Sequence, residues 1–252
     1  MPPVSFDKIS LKDKSIFRGS AYHAIVHAHV SVMMIAWMFL TGVVTVVSRH
    51  YRDWLPKKKL FSTKVWFQVH RALAILVALL TYVGFIIMFA LYGAEIREGA
   101  GVHAYIGLVI VGLVSVQLIA GMLRPNPDNK WRVYFNWGHR ILGQLCHVLF
   151  KSCINSDSSV TMFLGFGMEH NLEEMKSFGF TVLGIWLAGQ IVWHVAYEIL
   201  SWRVKAAKDD TSSEDDKDKA NKTSNILTIL MVAYIIFLAT LTIAGMVAFL
   251  IY

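Results

Sequence analysis

Four histidines, His29, His70, His103 and His139, stand one to a segment in four consecutive apolar stretches, each near the N-terminal end of its stretch. Imidazole is a metal ligand, and two imidazoles on opposite sides of an iron fill both axial positions of a haem, which favours electron transfer over oxygen chemistry. Consecutive membrane helices run antiparallel. Residues early in the first and third helices therefore lie near one face of the bilayer, and residues early in the second and fourth near the other. The spacing predicts two pairs at two depths, His29 with His103 and His70 with His139. At about 1.5 Å per residue, the length of the first helix beyond His29 separates the two levels by roughly 20 Å. Two bis-imidazole levels at that separation suit two haems that exchange electrons. Spacing alone is compatible with several metals, although two ligands per level are too few for a tetrahedral zinc site.

Each of the four is followed four residues later by a small or soft side chain: Met33, Ala74, Gly107 and Gly143. Residues i and i+4 share a helix face, so a small residue one turn beyond a ligand leaves room for a flat macrocycle. Arg71 and Arg140 directly follow His70 and His139 and are candidates for pairing with haem propionates; interfacial snorkelling explains them equally well. The remaining histidines are read more plainly. His23 and His27 form one face near the start of the first helix and His50 lies in a loop. His147 is expected to pack, and His194 to be structural or to join a polar cluster with Glu198.

The elements that must position these residues follow from composition. The 252 residues are 56% hydrophobic, with a mean hydropathy of +0.51, too apolar for a soluble domain. A membrane helix needs roughly 20 mostly apolar residues, and six candidates arise: Ala21–Ser48, Val65–Tyr92, Val102–Leu123, Trp137–Phe150 and onward, Phe178–Leu200, and Ile226–Tyr252. The fold class expected is all-α, a polytopic membrane helical bundle of six transmembrane helices with a four-helix haem-binding core. Residues 1–20 form a polar tail, 21–202 the core, 203–224 a charged, mobile cytoplasmic linker, and 225–252 a C-terminal helix that reads as a lipid-facing anchor. The tail has no apolar signal-peptide core, so either the first helix targets the chain or a segment upstream is missing. The fourth stretch loses its apolar character at Phe150, and Lys151–Ser159 either continues the helix through Ile154 or is an insertion.

The net charge of +7 belongs to topology and not to nucleic acid. Most loop Lys and Arg fall in the first loop (Arg49, Arg52, Lys57, Lys58, Lys59, Lys64), the third (Arg124, Lys130, Arg132) and the fifth (Arg203 to Lys222). The positive-inside rule puts these loops in the cytoplasm and both termini outside, although the tail is itself basic. Cys146 and Cys153 form no disulfide framework and no metal motif, and read as small polarizable packing residues.

At the same residues the chain resembles a known family. The run His29-Val-Ser-Val-Met-Met-Ile-Ala-Trp37, then Trp66-Phe-Gln-Val-His-Arg71, His103-Ala-Tyr-Ile-Gly107, Gln117, Arg124-Pro125 and Phe135-Asn-Trp-Gly-His139 with Gly143 is similar to the cytochrome b561 core. It is most like the branch of ferric-chelate reductase 1-like (stromal cell-derived receptor 2-like) proteins, in which that core follows an extracellular DOMON domain. The likeness covers roughly Val26–Trp202, and its motifs agree in both order and spacing. It implies two haem b groups, with His29 and His103 as outer and His70 and His139 as inner axial ligands. It also implies a cytosolic reductant such as ascorbate and an outer acceptor such as ferric iron or monodehydroascorbate. No DOMON or reeler segment appears here, so a truncated member or a core-only paralogue is expected.

On that resemblance Lys64, Arg71, Arg132 and Arg140, with Lys57–Lys59 more weakly, are candidates for concentrating an ascorbate anion at the inner face; most of that charge also serves topology. Trp37, Tyr82 and Phe85 stand between the two levels, where packing alone accounts for them. The activity expected is that of a transmembrane ferric-chelate reductase, an ascorbate-dependent oxidoreductase of plasma or internal membranes, with a homodimer left open. The alternatives are a histidine-lined metal or proton transporter, which needs a polar path that the third, fifth and sixth helices hardly offer, and a redox-inactive membrane scaffold.

Overall fold

The computed structural model describes residues 20–52, 59–93, 101–154, 172–209 and 214–251. Nearly all of these are helical, as an apolar chain in lipid requires, since only a helix satisfies its own backbone polar groups within one segment. The order is α1 (Ser20–Met34), a π-helical stretch (Ile35–Leu40), α2 (Thr41–His50), β1 (Lys59–Leu60), β2 (Thr63–Lys64), α3 (Val65–Tyr92), α4 (Gly101–Met122), α5 (Arg132–Ile154), α6 (Leu172–Asp209) and α7 (Glu214–Ile251). α1, the π stretch and α2 follow one another without a break. Trp37 and Met38, both 2% exposed, lie in the π turn.

The helix ends have local causes. Gly93 takes a positive φ of 69° and its N–H bonds to the Phe89 carbonyl at 2.7 Å, a left-handed cap that stops α3. Asn129 starts α5: its side-chain oxygen accepts from the Trp131 N–H at 2.9 Å, supplying one of the donors that a helix start leaves unmet.

Among the described residues four helical segments are long and apolar enough to cross a membrane: Ala24–His50, Val65–Tyr92, Val102–Met122 and Asn225–Val247. They coincide with the first, second, third and sixth expected spans. The fourth and fifth stretches also fold as helices, within α5 and α6, but are not among those four, so the structure supports a membrane helical protein without a count of six. The polar stretch after Phe150 continues α5 as far as Ile154, and residues 155–171 lie outside the described residues. The charged segment expected to be a mobile linker is largely helical, with α6 reaching Asp209 and α7 starting at Glu214. Its Lys, Ala and Glu residues are good helix formers, and a helix already nucleated in an anchored apolar stretch propagates into them at little cost.

The chain divides into two compact units. The first holds α1, α3 from Ala78 onward, α4 and α5. Here Val26 of α1 and Leu91 of α3 are buried against each other, with Ile25, Val30, Met88 and Tyr92 around them. The Tyr82 and Ser115 hydroxyls join α3 to α4 at 2.9 Å, and α4 packs along α5.

The second unit holds the π turn from Trp37, α2, the hairpin, the start of α3, and most of α6 and α7. Trp186 donates to the Met38 carbonyl at 3.2 Å, and Tyr234 donates to the Gln190 side chain at 2.8 Å. Arg49 pairs with Glu198 at 3.0 Å, and Trp202 donates to the same carboxylate at 3.2 Å. His50 closes α2 in a packed position rather than in a loop, stacked on Tyr197 at 5.0 Å and bonded to Ser201 at 3.1 Å. Tyr51 bonds to the Leu227 carbonyl, and burial pushes its phenol up to about 12, so it remains a donor at any physiological pH. The last helix is thus more than a lipid-facing anchor: Tyr234 and Leu238 are fully buried and Thr242 is 3% exposed.

The short hairpin is a small departure from the all-α expectation. Phe61 and Ser62, at φ of 48° and 64°, form its two-residue turn, in the twist-matched geometry that such loops favour. Gln68 of α3 donates to the Leu60 carbonyl at 3.1 Å and to the Thr63 hydroxyl at 2.5 Å, fixing the hairpin to the start of its helix.

Candidate functional site

His29 and His103 meet in the first unit. Their ring centroids are 6.3 Å apart with planes inclined at 73°, although the two residues stand on α1 and α4, far apart in the chain. His29 Nδ1 lies 2.9 Å from the Gly84 carbonyl of α3. A carbonyl only accepts, so Nδ1 carries the proton and Nε2 keeps its lone pair. This is the tautomer of a metal-ligating histidine whose other nitrogen is held by an acceptor.

Two imidazole–metal bonds of about 2 Å, with about 1 Å more from each nitrogen to its ring centre, would need ring centroids about 6 Å apart, so the separation of this pair is compatible with two imidazoles holding one iron. Beside His103 the space is open at Gly107, one turn on, where a Cβ would meet nothing within 4 Å. The other expected spaces are used differently. Met33 turns onto Gly84, where a Cβ would come 2.7 Å from its sulfur. The space at Gly143 is taken by Gln117, whose amide nitrogen would lie 3.3 Å from a Cβ there.

His139, in the first unit, stacks on Phe135 at 5.5 Å with nearly parallel rings. Its backbone carbonyl accepts from the Gln117 side chain of α4 at 2.7 Å. His70, in the second unit, is half-buried near the start of α3, one residue ahead of an exposed Arg71. Each member of the expected inner pair is therefore placed on the helix assigned to it, and each is described in its own unit.

The basic candidates differ in how far they are engaged. Arg132 donates to the Pro125 carbonyl at 2.5 Å and sits 5.7 Å over the Phe135 ring, which fixes the turn into α5. Arg140 is exposed and lies 5.6 Å over Trp137. Lys59 and Lys64 are exposed on the hairpin, whereas Lys57 and Lys58 lie outside the described residues. Of the aromatics expected between the levels, Trp37 is buried in the π turn, Tyr82 bonds to Ser115, and Phe85 stacks on Phe89 at 5.8 Å. His147 is buried at 6% exposure and Cys146 at 4%, the packing positions expected of them. Glu198 is held by Arg49 and Trp202. The side chains of His23 and Cys153 are outside what is described. Among the described residues no group of three or more His, Cys, Asp or Glu gathers as a metal cluster; the histidines meet as a pair.

Gly84 is the functional position that the sequence reading missed. Its one signal was a glycine inside an otherwise unbroken apolar helix, which commonly marks a close approach.

The eukaryotic cytochrome b561 family model matches residues 28–166, a segment that contains all four histidines. Ferric-chelate reductase 1 of Bos taurus is 28% identical over 204 residues, covering 79% of this chain and 31% of the relative. The human ferric-chelate reductase 1 is 27% identical over 202 residues, with 79% and 31% covered. A cytochrome b561 and DOMON domain-containing protein of Arabidopsis thaliana is 28% identical over 141 residues, covering 56% of this chain and 36% of its own. The chain thus spans about a third of the length of these relatives. No solved structure matches it. With four apolar helices of membrane length and a family match over more than half its residues, the chain is an integral membrane protein that belongs to the eukaryotic cytochrome b561 family.

Proposed function

We propose that the chain is a transmembrane electron-transfer core with two haem b sites, His29 and His103 serving the outer one and His70 and His139 the inner one. Haem b, when bound, supplies reversible one-electron chemistry. The observation that carries this reading is the meeting of the His29 and His103 rings at 6.3 Å, with the His29 tautomer held by Gly84 and open space at Gly107. Rings fixed in advance would hold such a group with little rearrangement as an electron arrives or leaves.

In this reading residues 21–202 are the redox core, 203–224 a cytoplasmic connection and 225–252 a C-terminal membrane helix, with six spans and both termini outside. Arg71 and Arg140, exposed beside the inner ligands, hold propionates. Lys64 and Arg132 add positive charge that draws an anionic cytosolic reductant, ascorbate by the family resemblance. The acceptor outside is ferric iron or monodehydroascorbate; the names of the animal relatives favour ferric chelates.

The test is an oxidised-minus-reduced visible spectrum of the purified protein. His29→Ala and His103→Ala should each remove the same half of an ascorbate-reducible b-type absorbance, and His70→Ala and His139→Ala the other half. A full two-haem complement in any of the four variants would sink the assignment.

A further inference from the structure

We infer that Gly84 is a positioning residue for the His29 centre, and that its buried carbonyl, open to the His29 ring and held against α1 by Met33, sets the reduction potential there. The inference rests on the proposed role of His29 as a haem ligand.

A carbonyl inside a helix already accepts from the N–H four residues on, and neighbouring side chains usually shield its second lone pair. Gly84 lacks that shield. The His29 ring reaches its oxygen at 2.9 Å, across a gap in which a Cβ would lie 3.6 Å from Nδ1. The same Cβ would sit 2.7 Å from the Met33 sulfur and 3.1 Å from Met33 Cγ. Met33 is one turn beyond His29 on the same helix face. Its thioether thus occupies the volume that any larger residue at position 84 would claim, and it sets the approach of α1 to α3. Val26 and Leu91, buried together further along the same contact, keep the helices from parting at the other end. The contact is a three-part device: glycine for access, carbonyl for the proton, and methionine for the distance.

The chemistry has a defined sign. An Nδ1–H held by a carbonyl gives the imidazole more anionic character and makes Nε2 a stronger donor. A stronger donor stabilises ferric over ferrous iron, so this hydrogen bond lowers the potential of the His29 centre. At His139 the group that Gln117 engages is the backbone carbonyl.

The test is a spectroscopic redox titration of the haem-loaded protein. Gly84→Ala should drive Met33 and α1 away, lengthen the His29 bond and raise the potential of the His29/His103 centre, with the other centre unmoved. The double variant Met33→Ala/Gly84→Ala restores the space and should return the potential towards the wild-type value. If Gly84→Ala does not accumulate, Met33→Phe enlarges the wedge from the opposite side and should shift the potential in the same direction. An unchanged potential in a haem-loaded Gly84→Ala or Met33→Phe protein overturns the role of Gly84, and so does a double variant that stays fully shifted. A wild-type protein with no bis-histidine signal dependent on His29 instead overturns the ligand assignment, and the proposal falls with it.

Discussion

Gly107, one turn beyond His103, faces open space, whereas Gly42 and Gly189 in the second unit are filled by their neighbours. A Cβ at Gly42 would lie 2.7 Å from Leu238 and 2.9 Å from the Tyr234 hydroxyl, and one at Gly189 would run into the Phe237 ring. The polar contacts divide in the same way. In the second unit Tyr234–Gln190, Trp186–Met38 and Arg49–Glu198 tie α6 to α7 and to the π turn and α2. In the first, Tyr82–Ser115 ties α3 to α4, and the bonds at His29 and at the His139 carbonyl engage the candidate ligands themselves. Glycine in a membrane helix serves close packing when a partner fills the gap, and at Gly107 no partner does. At Gly42 and Gly189 the second unit closes like a zipper, although Gly184 there meets nothing within 4 Å, and at Gly107 the first keeps a space open beside a histidine pair.

The largest expected effect tests the open side of this contrast. Gly107→Leu should leave the helix packing intact, since nothing is displaced, yet abolish the absorbance assigned to the His29/His103 pair. A melting temperature that falls together with the haem would break the distinction. Gly189→Ala should do the reverse, costing about 1–3 kcal/mol through overpacking, read as a lower melting temperature in detergent with both haems retained while folded. Tyr234→Phe removes the donor to a Gln190 side chain that is only 3% exposed; about 1 kcal/mol is expected for such an interhelical bond in a membrane protein. Arg49→Ala should matter least. Its side chain is 52% exposed and that of Glu198 43% exposed, so a change within about 1 kcal/mol is expected; a larger loss would show that this pair, and not the buried zipper, holds the second unit.

Much of the fold was legible because helix formation in lipid is a local decision. Val65–Tyr92 runs as expected, and the third span differs from expectation by a residue or two at its ends. Apolar length sets those limits without reference to any partner. The hairpin before α3 was not legible: its turn residues, Phe61 and Ser62, are not the glycine or asparagine that normally announce such a turn. The helical extensions of α6 and α7 were misread because charge without periodicity looks like a mobile linker when helix propensity is left out of account. His50 was placed in a loop because nothing local reveals a ring stacked on Tyr197.

The candidate site divides the same way. The four histidines, their order and the His29–His103 pairing follow from the sequence, because antiparallel succession and a rise of about 1.5 Å per residue fix depth. Depth says nothing of rotation. Which way Met33 turns, which carbonyl meets Nδ1 of His29, and whether a glycine's space stays empty or is filled all depend on the angle at which one helix faces another. The tertiary structure decided these: Gly84 is taken by His29 and Met33, Gly143 by Gln117, and Gly107 by nothing. Helix rotation is set by summed side-chain packing across helices distant in the chain, and a pattern read along one strand of sequence does not contain it.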